Sequence, residues 1–399
     1  MMYTIFVCPL TQIRMEQETH MKRNFKTTAG WQPRRRLRPH PEVPALIILI
    51  FCCSIITACG SGTYSSTASG EPLSIQDAME LIPRKLIRVG VVQVGHESDW
   101  RIASTRCCQE VFSEEKGYQL YFVDADNNPE AQADAVRSFI QERVDYIVIA
   151  PILTTGWNEV LKEAYHVGIP VFVMDRTIDC DSRYYQSWFG SDFMLEGECA
   201  GQWLQKYLRR QGRSFEEIRI VTINGTPGAS AQLGRTLGFR KYLEQNNNWK
   251  LLAEKSGNFT ESGGQQVMED YLKTYPDIDV VICQNDNEAL GACRALEEAD
   301  ISYGKDGDVI IISFDATRAG LEAVLDGDIN ADFECNPQAP FYVAGAIQTL
   351  EAGGELTEKE YYLPEEGFTC EEEPAFIAPR GRTMRMIPVT RDVLKQRVY

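Results

Sequence analysis

The chain has 399 residues, with 40 Lys/Arg against 57 Asp/Glu and a formal net charge of −17. Residues 1–58 hold eight Lys/Arg and three Asp/Glu, so the rest of the chain stands near −22. A surface this acidic lacks the clustered cations that neutralise phosphates, which excludes a nucleic-acid partner and argues against an anionic ligand.

The first readable segment is Ala45–Cys59, an apolar run preceded by Arg34, Arg35, Arg36 and Arg38 and closed by small residues. That is the three-part layout of a secretory signal. The run falls short of the ~20 apolar residues that span a bilayer. Ile56-Thr57-Ala58-Cys59 resembles a bacterial lipobox, in which the cysteine is lipidated and becomes the first mature residue. The alternative is a plain signal cut nearby. Residues 1–58 are thus expected to be a signal peptide and 59–85 a lipidated N-terminus with a flexible tether, rich in Gly and Ser over Gly60–Gly70. The protein is expected to work outside the cytoplasm, anchored to the membrane at Cys59.

The chain beyond the tether is long enough for two domains, each with its own core. Eight cysteines lie after Cys59; disulfides are allowed outside the cytoplasm, and the sequence does not choose a pairing. Only His96 and His166 remain among the histidines and no Cys-x-x-Cys occurs, so no metal and no cofactor are expected.

From Leu86 short β-branched runs alternate with segments of helical period. Strands are predicted at 87–92, 119–123, 146–150 and 171–174, with helices near 99–116, 129–143 and 157–167 between them. In the second helix Ala133, Val136, Phe139 and Ile140 recur at a spacing of three to four residues. The alternation restarts with helices near 195–208, 231–246, 263–273 and 288–299, and strands at 218–223, 249–253, 280–283 and 309–313. Strands apolar on both faces and joined by helices mean buried parallel sheets, so the fold class is α/β with two doubly wound parallel-sheet lobes. Ligands of such sheets bind beyond the carboxyl ends of the strands, and two such edges facing each other make a cleft.

Polar and aromatic residues gather where the strands end: Gln93–Arg101, Asp175-Arg176, Asn224–Ser230 with Arg235, Gln284-Asn285-Asp286 and Asp315. A neutral polyol needs paired donors and acceptors for its hydroxyls and an aromatic face for its C–H surface, which these residue types supply. Gly225–Ser230 lacks the Gly-Lys-Ser/Thr ending of a phosphate loop, and no Gly-x-Ser-x-Gly elbow is present. Carboxylates beside Arg101, Arg176 and Arg235 stay ionised and make poor general acids, so no catalytic residue is expected.

Several stretches together carry a resemblance: Val89–Arg101, Ala150–Ala164, Gly168–Asp179, Gly225–Ser230, Ser256–Thr260 and Asn285–Ala292. In order and spacing the chain resembles the type I periplasmic sugar-binding proteins of ABC transporters, in particular their galactofuranose-binding branch. The resemblance spans about Ile87 to Leu350 and weakens beyond Gly353. It implies two lobes joined by a multi-strand hinge, the first from 86–189 and 336–360, the second from 190–335, with 361–399 an extension of unclear role. It places the third interlobe crossing around Glu334–Pro337, with Asn336 at the hinge.

The same resemblance implies the site. Trp100 and Phe259 would stack on opposite faces of a sugar, and Glu97, Ser98, Asp99 and Arg101 would form the first-lobe ligand loop. Asp175 and Arg176 would bind hydroxyls from the first lobe, and Arg235, Asn285 and Asp315 from the second. Trp157, at the start of a helix, reads as structural. The implied function is capture of a monosaccharide, a pentose or a galactofuranose-like hexose, and its delivery to an ABC permease by a monomeric receptor. A sugar sensor docking on a histidine kinase or chemoreceptor would have the same pocket.

Overall fold

The computed structural model describes residues 85–399 apart from 373 and 374. The expected signal, the lipidation site at Cys59 and the tether lie outside the described residues. Among the described residues no helix is long and apolar enough to cross a membrane.

In chain order the first series is β1 (Ile87–Gln93), α1 (Asp99–Val111), β2 (Tyr118–Asp124), α2 (Pro129–Glu142), β3 (Tyr146–Ile149), α3 (Asn158–Val167), β4 (Val171–Met174) and β5 (Trp188–Gly190). The second is α4 (Phe193–Arg210), β6 (Ile218–Asn224), α5 (Ser230–Gln245), β7 (Trp249–Ser256), α6 (Glu261–Thr274), β8 (Val280–Cys283) and α7 (Asp286–Glu298), then β9 (Ile310–Asp315), α8 (Arg318–Asp326) and β10 (Ala331–Glu334). The chain returns through α9 (Ala339–Glu351) to β11 (Glu360–Tyr362). It ends in β12 (Gly367–Thr369), β13 (Ala375–Ile377), β14 (Met384–Pro388) and α10 (Arg391–Gln396).

Local chemistry sets the element ends. Asn128 caps α2, its Oδ1 accepting the Glu130 and Ala131 N–H groups, and Pro129 occupies the first turn, where no donor is missed. The buried stripe of α2, Ala135, Val136 and Phe139, then packs on the first sheet. β3 and β4 are buried at every position, as strands covered on both faces must be.

The first sheet is parallel throughout, in the order β11-β5-β4-β3-β1-β2. The second runs β13-β14-β12-β10-β9-β8-β6-β7, parallel from β7 to β10. In both, the first strand of the series lies between the second and third, so each lobe has a switch point where a crevice opens. Alternation divides the second core: Val221, Val281 and Ile311 face α6, α7 and α8, while Ile220, Ile282 and Ile312 face α4 and α5.

The chain passes between the lobes after β5, after β10 and between β11 and β12. Glu334–Pro337, expected as the third passage, is therefore the second. The reason is that β11 pairs with β5 in the first sheet, and β12 then returns antiparallel to β10. The expected extension 361–399 is divided between the lobes: Tyr361 and Leu363 are buried in the first-lobe core, and from β12 onward the chain belongs to the second lobe, where Ile377, Met384 and Met386 are buried. Near the end of the chain, Arg397 donates to Glu334 at 2.6 Å and to the Ala316 carbonyl at 2.7 Å. The eight cysteines after Cys59 are all free thiols.

Candidate ligand-binding site

A pocket lies between the carboxyl ends of the two sheets. Ten of the eleven expected residues line it: Glu97, Ser98, Trp100, Arg101, Asp175, Arg176, Arg235, Phe259, Asn285 and Asp315. The exception is Asp99, which is exposed and opens α1, its backbone N–H donating to Asn287 Oδ1 of the second lobe at 3.1 Å. Phe193, Ala231 and Cys335 also line the pocket and were not anticipated.

The first-lobe half is built by Ser98, whose Oγ caps α1 by accepting the Arg101 N–H at 3.2 Å. This turns the Arg101 guanidinium inward. It donates to Asp175 Oδ2 at 2.7 Å, Gln93 Oε1 at 3.0 Å and Glu97 Oε1 at 3.2 Å. Arg176 donates to the Ile152 carbonyl at 3.2 Å and lies 3.7 Å from Glu97. Burial pushes the Glu97 carboxyl up, but Arg101 and Arg176 together outweigh it and hold the group below its usual range. Burial opposes the charge on Arg101, and Asp175 and Glu97 more than restore it. The Trp100 indole stands on α1 with its N–H donated to the Cys335 carbonyl at 2.6 Å, which ties the ring to the second passage. Trp157 is buried with its indole N–H on the Leu153 carbonyl at 2.9 Å, away from the pocket lining.

The second-lobe half centres on Arg235. Its guanidinium donates to Glu196 Oε2 at 2.6 Å, to Asp315 Oδ1 at 2.9 Å and to the Gln284 carbonyl. Burial raises both carboxyls, Glu196 to about 7, while Arg235 pulls them back: one guanidinium serves two acids. Asn285 caps α7, accepting the Glu288 N–H at 2.9 Å, and its Nδ2 donates to the Phe259 carbonyl at 3.1 Å. The Phe259 ring lies over Gly225, where any Cβ would overlap it.

Asp175, Phe259 and Asp315 have φ of +63°, +62° and +103°, and each lines the pocket. Non-glycine residues rarely adopt such angles, and where a fold imposes them the strain concentrates at functional sites. The lobes meet over the pocket. The Thr177 N–H donates to Ser230 Oγ at 2.9 Å, and the Arg176 guanidinium carbon lies 5.3 Å from the centre of the Phe259 ring.

This arrangement sets one aromatic ring from each lobe, Trp100 and Phe259, among donors and acceptors that line the same pocket. Every lining arginine is already matched by a carboxylate or carbonyl, so the pocket offers hydrogen bonds more than net charge. Arg101 and Arg176 hold Glu97 ionised, which makes it a poor general acid.

A family model for the periplasmic binding protein domain matches residues 89–351. The galactofuranose-binding protein of Escherichia coli is 34% identical over 329 residues, 80% of this chain and 96% of that protein. A Mycobacterium smegmatis protein solved with β-D-fucofuranose is 39% identical, with a TM-score of 0.68 over 71% of this chain and 91% of that one. The binding component of an arabinose ABC transporter from Shewanella sp. ANA-3, solved with α- and β-L-arabinofuranose, is 36% identical with a TM-score of 0.66, over 71% and 92%. These relatives are binding proteins and not enzymes, and so is this chain. The chain belongs to the periplasmic binding protein family and has its type I, two-lobed fold.

Proposed function

We propose that the protein is a lipid-anchored receptor that captures a monosaccharide in its furanose form between the two lobes and delivers it to an ABC sugar permease. The observation that carries this reading is one pocket lined by an aromatic ring from each lobe, Trp100 and Phe259, together with charge-matched polar groups. Such a lining satisfies a neutral polyol and discriminates against analogues lacking a hydroxyl, because its own buried groups are then left unpaired. Three similar proteins bind furanoses, which supports the ring form.

Closure follows from the same geometry. The sugar contacts both halves only when the lobes meet, so it binds the closed state more tightly and shifts the population toward it. The basic, apolar, small-residue segment ending at Cys59 supports anchoring. Calorimetric titration with D-galactose, L-arabinose, D-ribose, D-fructose and D-fucose tests the reading. Saturable one-to-one binding of at least one of them is expected. No heat and no thermal shift with any of these sugars would sink it.

A further inference from the structure

Asn285-Asp-Asn-Glu288 has the form of a capping box, in which a cap residue is followed three positions later by Glu. Half of the box forms, since Asn285 Oδ1 accepts the Glu288 N–H. The other half is redirected. Instead of returning to the cap's own N–H, Glu288 Oε2 accepts the Gln284 N–H at 3.1 Å, and Oε1 accepts the Phe259 N–H at 2.9 Å from the loop after β7.

The surroundings are shaped for this reach. Glu288 is fully buried and does not line the pocket. A Cβ on Gly257 would stand 2.9 Å from its Oε1, and one on Gly264 would overlap its backbone carbonyl. What the carboxyl holds is strained: Asn258 and Phe259 both have left-handed φ, at +58° and +62°. A side-chain-bearing residue there costs of order 1–3 kcal/mol unless neighbours hold it. Glu288 takes the Phe259 N–H and Asn285 takes its carbonyl, so the cap of α7 grips both sides of that residue. The Gln284 peptide is gripped as well: its N–H goes to Glu288 and its carbonyl to Arg235.

We propose that Glu288 is a positioning residue of the site, which sets the Phe259 ring and the Gln284 carbonyl that orients Arg235 without touching the ligand. The proposal rests on the sugar-receptor reading for its consequence, but the gripping of Phe259 stands apart from it.

The test is a double-mutant cycle on the full-length protein, titrated with whichever panel sugar the unmodified protein binds. Glu288→Gln keeps the size but has only one carbonyl oxygen for two N–H groups, and its amide N–H₂ opposes the other. It is expected to weaken binding about tenfold. Phe259→Ala is expected to weaken it more. If Glu288 acts through Phe259, the double variant binds within about twofold of Phe259→Ala, because coupled residues are not additive. Gly257→Ala, which crowds Oε1, should reproduce the Glu288→Gln loss and stands in if that variant folds poorly. Multiplying losses in the double variant, or unchanged affinity in Glu288→Gln, would overturn the proposal. Amide exchange separates this from failure of the sugar reading. With no sugar present, protection at Phe259 and Gln284 should fall at least tenfold in Glu288→Gln, and unchanged protection there would refute the gripping itself.

Discussion

The two halves of the pocket solve one problem with different means. In the first lobe, two arginines, Arg101 and Arg176, share two acids, Glu97 and Asp175. In the second, Arg235 alone serves Glu196 and Asp315. The two rings that line the pocket differ too: Trp100 stands on a regular helix, whereas Phe259 sits in a left-handed loop gripped by groups from elsewhere in the chain. The first half is locally built and electrostatically redundant, and the second is assembled from distant pieces with no reserve.

That contrast can be broken most forcefully at the arginines. Arg235→Met strands Glu196 and Asp315 in the interior, and breaking a buried pair costs about 3–5 kcal/mol. A fall in melting temperature of roughly 10 °C is expected, at about 2–4 °C per kcal/mol for a domain of this size. Arg101→Met strands Asp175 but leaves Arg176 beside Glu97, one acid stranded rather than two, and should cost less. Equal losses by calorimetric melting would remove the redundancy.

Trp100→Ala should weaken sugar binding about 100-fold, since burying a large aromatic face contributes roughly 2–3 kcal/mol. Melting should fall as well, because the ring is buried and its N–H bond to the Cys335 carbonyl is lost. Retained affinity would take Trp100 out of the site.

The halves should also respond to pH with opposite signs. Burial pushes the Glu196 carboxyl up to about 7. Its protonated form favours the folded state, so that contribution is complete below the unfolded value near ~4.3 and is lost as pH rises through 7. Melting temperature should therefore fall by a few degrees more between about pH 5 and 8 in the unmodified protein than in Glu196→Gln. Glu97, held below its usual range despite burial, contributes above ~4.3 and loses that contribution in acid. Glu97→Gln should flatten the acid limb; matching slopes at both ends would erase the distinction.

The smallest effect belongs to the mouth of the cleft. Asn287→Ala removes the acceptor of the Asp99 N–H and, at about 0.5–1.5 kcal/mol for one hydrogen bond, should weaken sugar binding two- to tenfold with no change in melting. Unchanged affinity would mean that this contact does not favour closure.

The same contrast explains what was legible in the sequence. Gln93, Glu97, Ser98, Trp100 and Arg101 fall within nine consecutive residues, and Asp175-Arg176 comes directly after a strongly β-branched strand. The first half could therefore be read almost whole. Asn285 and Asp315 were legible because one opens a helix and the other ends a strand, whereas Arg235, the sixth residue of α5, was placed in the site by the resemblance alone. Glu196, Phe193 and Cys335 were not: their roles arise where the chain passes between lobes, and no local pattern marks a passage. Glu288 was visible as half of a capping box, but its second bond goes to a loop 29 residues earlier. Both βα series were legible from periodicity. β5 and β10 to β14 were not, because these short strands lack the apolar, Val- and Ile-rich run that marked β3, β4 and β8.

A sugar ring held between Trp100 and Phe259 in its furanose form has a direct spectroscopic signature. Carbon NMR of the protein loaded with ¹³C-labelled L-arabinose or D-galactose reads the anomeric carbon of the bound sugar. A saturable bound signal at a furanose position is expected, and it should disappear in Trp100→Ala. A bound pyranose signal, or free sugar alone at every loading, would contradict the reading.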